Sequence, residues 1–220
     1  MISNNSKKVF IDALYYYPPG AGIPNTDQVV IDKISNGEAP FDGSQLHLVT
    51  HNHPDHYNLS MMTNYLKNNP KSVFVGDSTI VKPKISKFPG QVCNVNPSKY
   101  EWIDTLINGI QLRVYNLIHD TGYRIYNVGY YANLDGLKIF HSGDNTLEDT
   151  TEFLNYNIDT LAIDVAFISN GGFFRNAATS NFYKKHLHAK QIILMHLTEG
   201  QANSVRAKIA AQGEGFPPIY

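Results

Sequence analysis

The sequence predicts an α/β protein. Apolar segments of strand length recur along the chain, and segments with helical periodicity separate them. Capping residues and Pro or Gly stops bound many of these segments. With 220 residues, 42% hydrophobic and 17% charged, the chain is expected to form one domain, residues 1–220, that is large enough for a core of its own.

In the first half, strands and helices alternate. The first strand, from Lys7 to Ala13, contains an acid near its end, Asp12, and leads into a loop rich in Tyr and Pro. Thr26-Asp27 can cap one helix, and Asn58 or Ser60 another, because their side chains accept from helix N-terminal N–H groups. The predicted elements are strands at 7–13, 46–50, 72–75 and 91–95, and helices at 26–34, 58–68 and 77–83.

The second half begins with a meander. Turn signals at residues 120–122 and at Asp135-Gly136 predict antiparallel strands at 110–118, 123–131 and 137–140. The stretch that begins at Trp102 predicts no element. The remaining predicted elements are a helix at 146–156, a strand at 158–169, a flexible loop at 170–175, a helix at 178–190, a strand at 191–195 buried on both faces, and a helix at 201–212.

Composition excludes several classes of partner. The net charge of -1, with no Lys/Arg block, gives no reason to expect nucleic acid. No apolar run has the length needed to cross a bilayer, so no membrane partner is expected. One cysteine, Cys93, allows no internal disulfide, which favours a reducing, cytoplasmic location. The oligomeric state is left open, including a homo-oligomer.

The segment His51-Asn-His-Pro-Asp-His56 is the strongest chemical signal. It follows an apolar strand and places three imidazoles and a carboxylate within six positions, a crowding that is costly without a cation. Nitrogen and oxygen ligands suit zinc, manganese or iron. In an extended segment His51, His53 and Asp55 would point one way and His56 the other, so more than one ion is expected.

The pattern His-x-His-x-Asp-His resembles the signature of the metallo-β-lactamase superfamily. The other ligands of that family are a distant His, an Asp in a Gly-Asp turn and a late His, and His119, Asp144 and His196 follow in that order. The resemblance runs from Lys7 to His196. It implies a four-layer αββα sandwich of two mixed sheets flanked by helices. The chain begins almost at the first strand, so the usual N-terminal hairpin is expected to be missing.

The resemblance also implies a cofactor and a reaction. Two divalent ions are expected, with zinc favoured and manganese or iron as alternatives. Two cations about 3.5–4 Å apart can share a hydroxide and lower the pKa of water towards 7. That hydroxide would attack an ester, lactone, amide or phosphodiester in a small substrate, with Asp55 as the catalytic carboxylate. One ion would be held by His51, His53 and His119, the other by Asp55, His56 and His196, with Asp144 bridging.

Five further side chains stand outside this set of metal ligands. By the resemblance, Asp12 would support the histidine loop from behind the ligands. Arg175, in the aromatic loop, is a candidate to pair with an anionic group of the substrate. His141 is expected to pack rather than to bind metal. His186 and His188 are given no metal role.

The sequence leaves several other functions open. The ending Leu194-Met195-His196 resembles the branch of sugar-phosphate lactonases and uncharacterised bacterial metal-dependent hydrolases. A related branch oxidises sulfur compounds with one iron, which here would be held by His51, His119 and Asp144. A flavin-linked branch is disfavoured, because it has Glu where this chain has His53. A metal-binding protein without turnover is the third alternative.

Overall fold

The computed structural model describes residues 1–18, 24–85, 87–120, 122, 125–211 and 218, without the side chains of 83–85 and 199. The chain divides into two compact units. The first comprises Met1–Asn96, Ile103–Leu112 and Asn133–Gly136, and the second comprises Pro97–Trp102, Arg113–Ala132 and Leu137–Tyr220. The single domain expected from chain length stays a prediction.

The first unit begins with five strands and three helices. In chain order they are β1 (Ile2–Asn4), β2 (Lys7–Ile11), α1 (Gln28–Asn36), β3 (Leu46–Leu48), α2 (Leu59–Asn68), β4 (Val73–Gly76), α3 (Ser78–Ile85) and β5 (Val92–Asn94). The strands form one sheet in the order β1-β2-β3-β4-β5. Neighbours from β2 to β5 are parallel. Each parallel pair is joined through one helix, as the predicted alternation requires.

A short hairpin opens the chain. Strand β1 pairs antiparallel with β2, with Ile2 opposite Val9. The turn uses Asn5 at φ 51°, a conformation that Asn tolerates better than most residues. This short form does not replace the usual hairpin, which would lie wholly before β2, so the expected absence of that hairpin stays a prediction. The first strand of the short hairpin has three residues and gave no apolar alternation to detect.

The predicted caps position the first two helices. Asp27 accepts a hydrogen bond from the Val29 N–H at 2.7 Å, and Gly37 ends α1 at φ 67°. Asn58 accepts from the first N–H groups of α2. Both helices pack their apolar faces against the sheet in one core cluster, which also contains Phe10 and Phe74. The cluster fixes the strand ends from which the ligands project.

A second sheet contains six strands. The remaining elements are β6 (Trp102–Ile107), β7 (Ile110–Asn116), β8 (Val128–Leu134), β9 (Leu137–His141), α4 (Thr151–Asn155), β10 (Ile163–Ser169), α5 (Asn170–Phe173), α6 (Ala177–His186), β11 (Ala189–Met195) and α7 (Ala202–Ala211). The order is β11-β10-β9-β8-β7-β6. Strands β9, β10 and β11 are parallel, and two-residue turns make β6–β7 and β8–β9 antiparallel. Two mixed sheets with helices confirm the predicted fold class.

Turn chemistry explains one missed strand and one misplaced turn. Asn108 and Gly109, at φ 49° and 75°, join β6 to β7 in the conformation that hairpin turns favour. This Asn-Gly signal identifies β6, which periodicity alone did not. The turn predicted at 120–122 is wrong as a tight hairpin, because β7 ends at Asn116 and β8 begins at Val128. Residues 121, 123 and 124 lie outside the described part.

Three other expectations need correction. The helix expected at 146–156 is confined to α4, because Leu147 at φ 51° interrupts helical geometry. Residues 170–173 form the helical turn α5 instead of a flexible loop. Strand β11 lies at the sheet edge and is only partly buried. The N–H of Ile192 on that strand donates to the Pro218 carbonyl at 2.9 Å.

An aromatic core holds the second unit together. The ring of Phe153 on α4 lies 5.8 Å from Phe140 and 5.6 Å from Tyr183, edge to face in both cases. Burying a side chain of this size stabilises the fold by roughly 1.5–3 kcal/mol. The core therefore holds α4 and α6 against β9. None of the helices that the structure describes is long and apolar enough to cross a membrane.

Candidate metal centre

The histidine loop follows the central strand β3 and folds into a turn. The N–H groups of His56 and Tyr57 both donate to the His53 carbonyl, at 3.1 and 2.9 Å. Pro54 lies inside this turn, where its fixed φ is favourable. The expected extended alternation of the loop is therefore wrong. Because of this turn the side chains of His56 and His51 lie next to each other, with their ring centroids 4.0 Å apart.

The ligand atoms of this loop are close together. His51 is fully buried, and its Nε2 lies 2.9 Å from His53 Nδ1. Its Nδ1 lies 3.0 Å from the Thr50 hydroxyl. His56 Nε2 lies 3.7 Å from Asp55 Oδ2. The first unit thus brings together His51, His53, Asp55 and His56.

Asp12 anchors this loop from the neighbouring strand. It follows β2, and its Oδ1 accepts from the Thr50 N–H at 2.8 Å. Its Oδ2 accepts from the Thr50 hydroxyl at 2.7 Å and lies 2.8 Å from His56 Nδ1. A carboxylate at Nδ1 orients the ring and leaves Nε2 as the ligand atom. The supporting role predicted for Asp12 has this geometry, and its effect on a metal stays a prediction.

The second unit presents three more ligand-type side chains around one carboxylate. Asp144 Oδ2 lies 3.2 Å from His196 Nε2 and 3.7 Å from His119 Nε2. Asp144 is buried and His196 is exposed. His119 Nδ1 lies 2.7 Å from Asp120 Oδ2, so His119 presents Nε2 to Asp144. The structure therefore brings His119, Asp144 and His196 together.

The turn that carries Asp144 depends on Gly143 and Asn127. Gly143 has φ 56°, a conformation that L-residues with a Cβ rarely adopt. Its Cα faces the side chain of Asn127 so closely that a Cβ would collide with it. Asn127 Oδ1 accepts the Asp144 N–H at 3.1 Å. Asn127 Nδ2 also donates to the carbonyls of Leu117 and Ser142. The backbone conformation at Gly143 and the hydrogen bond from the Asp144 N–H to Asn127 therefore fix the position of Asp144.

Replacing Gly143 with Ala is expected to displace Asp144. Both the positive φ and the collision with Asn127 oppose a Cβ here, so we expect a loss of about 1–3 kcal/mol in unfolding free energy. Metal affinity should fall as well. Urea denaturation and zinc titration would measure the two effects. Gly136→Ala is the control, because that glycine also has positive φ, 99°, but nothing lies near its Cβ position. Equal effects in the two variants would contradict the argument.

Two further residues from the sequence prediction, His141 and Arg175, have contacts of their own. His141 is buried at the end of β9, where its Nδ1 accepts the Gly143 N–H at 3.1 Å and its ring stacks on Phe167. Arg175 forms an ion pair with Glu148, with Nη1 2.6 Å from Oε1. Its predicted contact with substrate is untested and stays a prediction.

Sequence reasoning missed the side chains that contact the candidate ligands. Asp120 follows His119 directly, and that adjacency was a usable signal. Thr50 and Asn127 gave none, because their partners Asp12 and Asp144 are 38 and 17 residues away along the chain. Such contacts depend on strand pairing and turns between distant segments.

The donor chemistry of both groups fits divalent metal ions. Each group offers imidazole nitrogens and carboxylate oxygens, which zinc, manganese and iron accept. Buried carboxylates and imidazoles held this closely are costly to assemble for packing alone. The fold and these ligand groups define the class as a metal-binding α/β protein.

The family follows from comparison with known proteins. The model of the beta-lactamase superfamily domain matches residues 4–196. The chain therefore belongs to the beta-lactamase superfamily, as the histidine motif indicated. No curated protein matches the sequence significantly.

Solved structures share the fold at low identity. Igni18, a metallo hydrolase from Ignicoccus hospitalis, has a TM-score of 0.57 and 17% identity over 80% of this chain and 75% of its own. The metallo-beta-lactamase fold protein YhfI from Bacillus subtilis has a TM-score of 0.58 and 12% identity, covering 87% of this chain and 81% of its own. CmlA, a diiron beta-hydroxylase from Streptomyces venezuelae, has a TM-score of 0.61 and 9% identity over 96% of this chain. This chain spans 48% of CmlA. These likenesses confirm the metallo-β-lactamase fold.

Proposed function

We propose that this protein is a metal-dependent hydrolase whose two ligand groups together hold two divalent cations, with zinc favoured. The observation that carries the proposal is the Asp144 carboxylate, whose Oδ2 faces the Nε2 atoms of both His119 and His196. A bridging ligand must lie beside a ligand of each cation, and the closeness of Asp144 to His119 and His196 supports that role. The order of ligands along the chain, as in the superfamily, also supports it. One cation is assigned to His51, His53 and His119, the other to Asp55, His56 and His196, with Asp144 bridging.

The residues of the chain would orient this chemistry. Bound divalent cations lower the pKa of water towards 7 and polarise a substrate oxygen. Asp12 and Asp120 lie at the Nδ1 atoms of His56 and His119, which would orient each ring so that Nε2 is the coordinating atom. Asp55 would orient the attacking water and pass its proton to the leaving group. Hydrolysis then needs no histidine base.

The proposed substrate is a small ester, lactone, amide or phosphodiester. The metallo hydrolase Igni18, with the same fold, supports hydrolysis in general. Arg175 is the proposed contact for an anionic group on the substrate. Because Arg175 already pairs with Glu148, such a group would have to replace or share that partner.

An iron-dependent oxygenase is the second candidate. Fold similarity to the diiron beta-hydroxylase CmlA over 96% of this chain favours it, and iron accepts the same nitrogen and oxygen ligands. In the mononuclear form of this alternative, one iron held by His51, His119 and Asp144 would support oxidation of a sulfur compound. Iron content together with oxygen uptake separates the two functions.

Elemental analysis of protein purified without added metal tests the proposal. We expect two zinc ions per chain and activity against one class in a panel of esters, lactones, amides and phosphodiesters. One iron per chain with oxygen uptake would favour the oxygenase. Bound metal without activity on any substrate would favour a binding protein.

Replacing His196 with Ala should lower the metal content towards one ion per chain. The remaining ligands can still hold the other cation, so folding should be intact while hydrolysis falls by about 100-fold or more. His188→Ala is the matched control, because His188 is exposed and has no assigned role. Unchanged metal stoichiometry in His196→Ala would show that His196 is not a ligand.

A further inference from the structure

Glu152 has a buried carboxyl group that contacts the residues next to His119 and Asp144 in the second unit. It lies on α4, and its side chain is fully buried. Burial raises its pKa to about 7, while hydrogen bonds from Ile118 and Asn145 oppose that rise. The charges of Asp149 and Lys99 act on it more weakly and in opposite directions. A carboxyl group held in such surroundings destabilises the fold unless its contacts compensate.

The contacts of Glu152 lead to both ligand-bearing loops. The Ile118 N–H donates to its Oε1 at 3.0 Å. Asn145 Nδ2 donates to its Oε2 at 3.0 Å and to the Ile118 carbonyl at 2.8 Å. Ile118 directly precedes His119, and Asn145 directly follows Asp144. One carboxyl group therefore bonds to the residue next to each ligand.

Two further hydrogen bonds connect the loop of His119 with the loop of Asp144. The N–H and hydroxyl of Thr146 both donate to the His119 carbonyl, at 3.1 and 2.8 Å. Hydrogen bonds thus join the two loops, and their side chains also approach each other, because His119 Nε2 and Asp144 Oδ2 are 3.7 Å apart. Within this set Glu152 is the acceptor that the two loops share, because it accepts from Ile118 and from Asn145.

We propose that Glu152 is a positioning residue for metal binding. Through its hydrogen bonds to Ile118 and Asn145 it fixes the positions of His119 and Asp144 relative to each other. The inference rests on the proposed function, because it takes both residues as ligands. A ligand pair positioned by fixed hydrogen bonds needs no reorganisation when the ion binds. Without the carboxyl group, Ile118 and Asn145 lose a shared partner, and the two loops can shift apart.

Cobalt(II) binding tests this without relying on activity. We expect Glu152→Ala to bind cobalt about 10–100-fold more weakly than wild type and to change the visible ligand-field spectrum of the bound ion. Glu152→Gln should recover part of the affinity, because its carbonyl still accepts one of the two hydrogen bonds. Affinity would be measured by competition with a chelator, at a temperature where circular dichroism shows each variant to be folded.

Asp149→Ala is the matched control, because Asp149 lies just before the same helix. Asp149 Oδ1 accepts from the Thr151 N–H at 3.0 Å, so its loss should weaken α4 without removing a bond to Ile118 or Asn145. We expect lower thermal stability with unchanged cobalt affinity and spectrum. If Glu152→Ala does not fold, Glu152→Gln and Asn145→Ala carry the test, and both should weaken binding.

The outcomes separate this inference from the proposed function. Wild-type affinity and spectrum in a folded Glu152→Ala or Asn145→Ala variant would overturn the positioning role and leave the proposed function standing. A wild-type protein that bound neither cobalt nor zinc would overturn both. Equal weakening in Asp149→Ala would show that general loss of α4 stability, and not the contacts of Glu152, governs binding.

Discussion

Replacing Asp144 with Asn is expected to remove nearly all hydrolytic activity and to lower the metal content. The change keeps the size of the side chain and the backbone bond to Asn127, but it removes the negative charge that faces His119 and His196. Loss of a residue that only supports a ligand costs about 10–100-fold in metal affinity or activity. Loss of a bridging ligand should exceed this, so we expect a decrease of about 1,000-fold or more in kcat/KM.

Elemental analysis and kinetics on the same preparation would measure both effects. Asp135→Asn is the matched control, because Asp135 lies in the β8–β9 turn at φ 49°, a conformation that Asn also adopts. The control should keep its metal and its activity. Two bound ions and near-normal turnover in Asp144→Asn would contradict the bridging role.

Unfolding free energy is expected to fall steeply in acid because of His47. This residue lies on β3, fully buried, with its ring 5.5 Å from Phe10 and 4.8 Å from Tyr65. Within the described part of the structure neither ring nitrogen has a hydrogen-bond partner. Burial lowers the pKa of His47 from 6.5 to about 3, against the opposing charge of Asp12. The folded protein therefore holds His47 neutral.

The sign of the effect follows from proton binding. Between pH 6.5 and about 3 the unfolded chain protonates His47 and the folded chain does not, so acid favours unfolding. Above pH 6.5 His47 is neutral in both states and does not lower the unfolding free energy. As the pH falls below 6.5, the unfolding free energy decreases. Each pH unit inside this window removes about 1.4 kcal/mol, and the whole window about 5 kcal/mol.

Replacing His47 with Phe should remove this pH dependence. Urea denaturation of both proteins from pH 7 to pH 4 would give the unfolding free energy at each pH, and the slope of wild type should exceed that of the variant by about one proton. The slope is the relevant quantity, because Phe is larger than His and shifts the absolute stability by packing. His188→Phe controls for an exposed histidine. Identical slopes in wild type and His47→Phe would show that His47 titrates normally in the folded protein.

Local sequence signals predicted most elements of the first unit. The helices begin where caps were expected, at Asp27 in the pair Thr26-Asp27 and at Asn58 rather than Ser60, because a side-chain oxygen within three residues of the helix N–H groups acts locally. Strand β6 was missed because Trp102 and Leu106 are exposed on alternate positions, so no apolar face marked it. Strand β11 was expected to be buried on both faces, but only the strand order of the sheet decides which strand lies at an edge.

The sequence by itself determined the candidate ligands, their order along the chain and the superfamily, because these depend on residue identity and on spacing within short motifs. Only the tertiary structure decided how the ligands are held. In the folded chain the histidine loop turns at Pro54, and Asp144 lies on the turn that Gly143 and Asn127 stabilise. Glu152 contacts the residues next to His119 and Asp144. The bonds of Glu152 to Ile118 and Asn145 join residues 34 and 7 positions apart. Contacts of the longer kind form only after the chain has folded, so no local pattern records them.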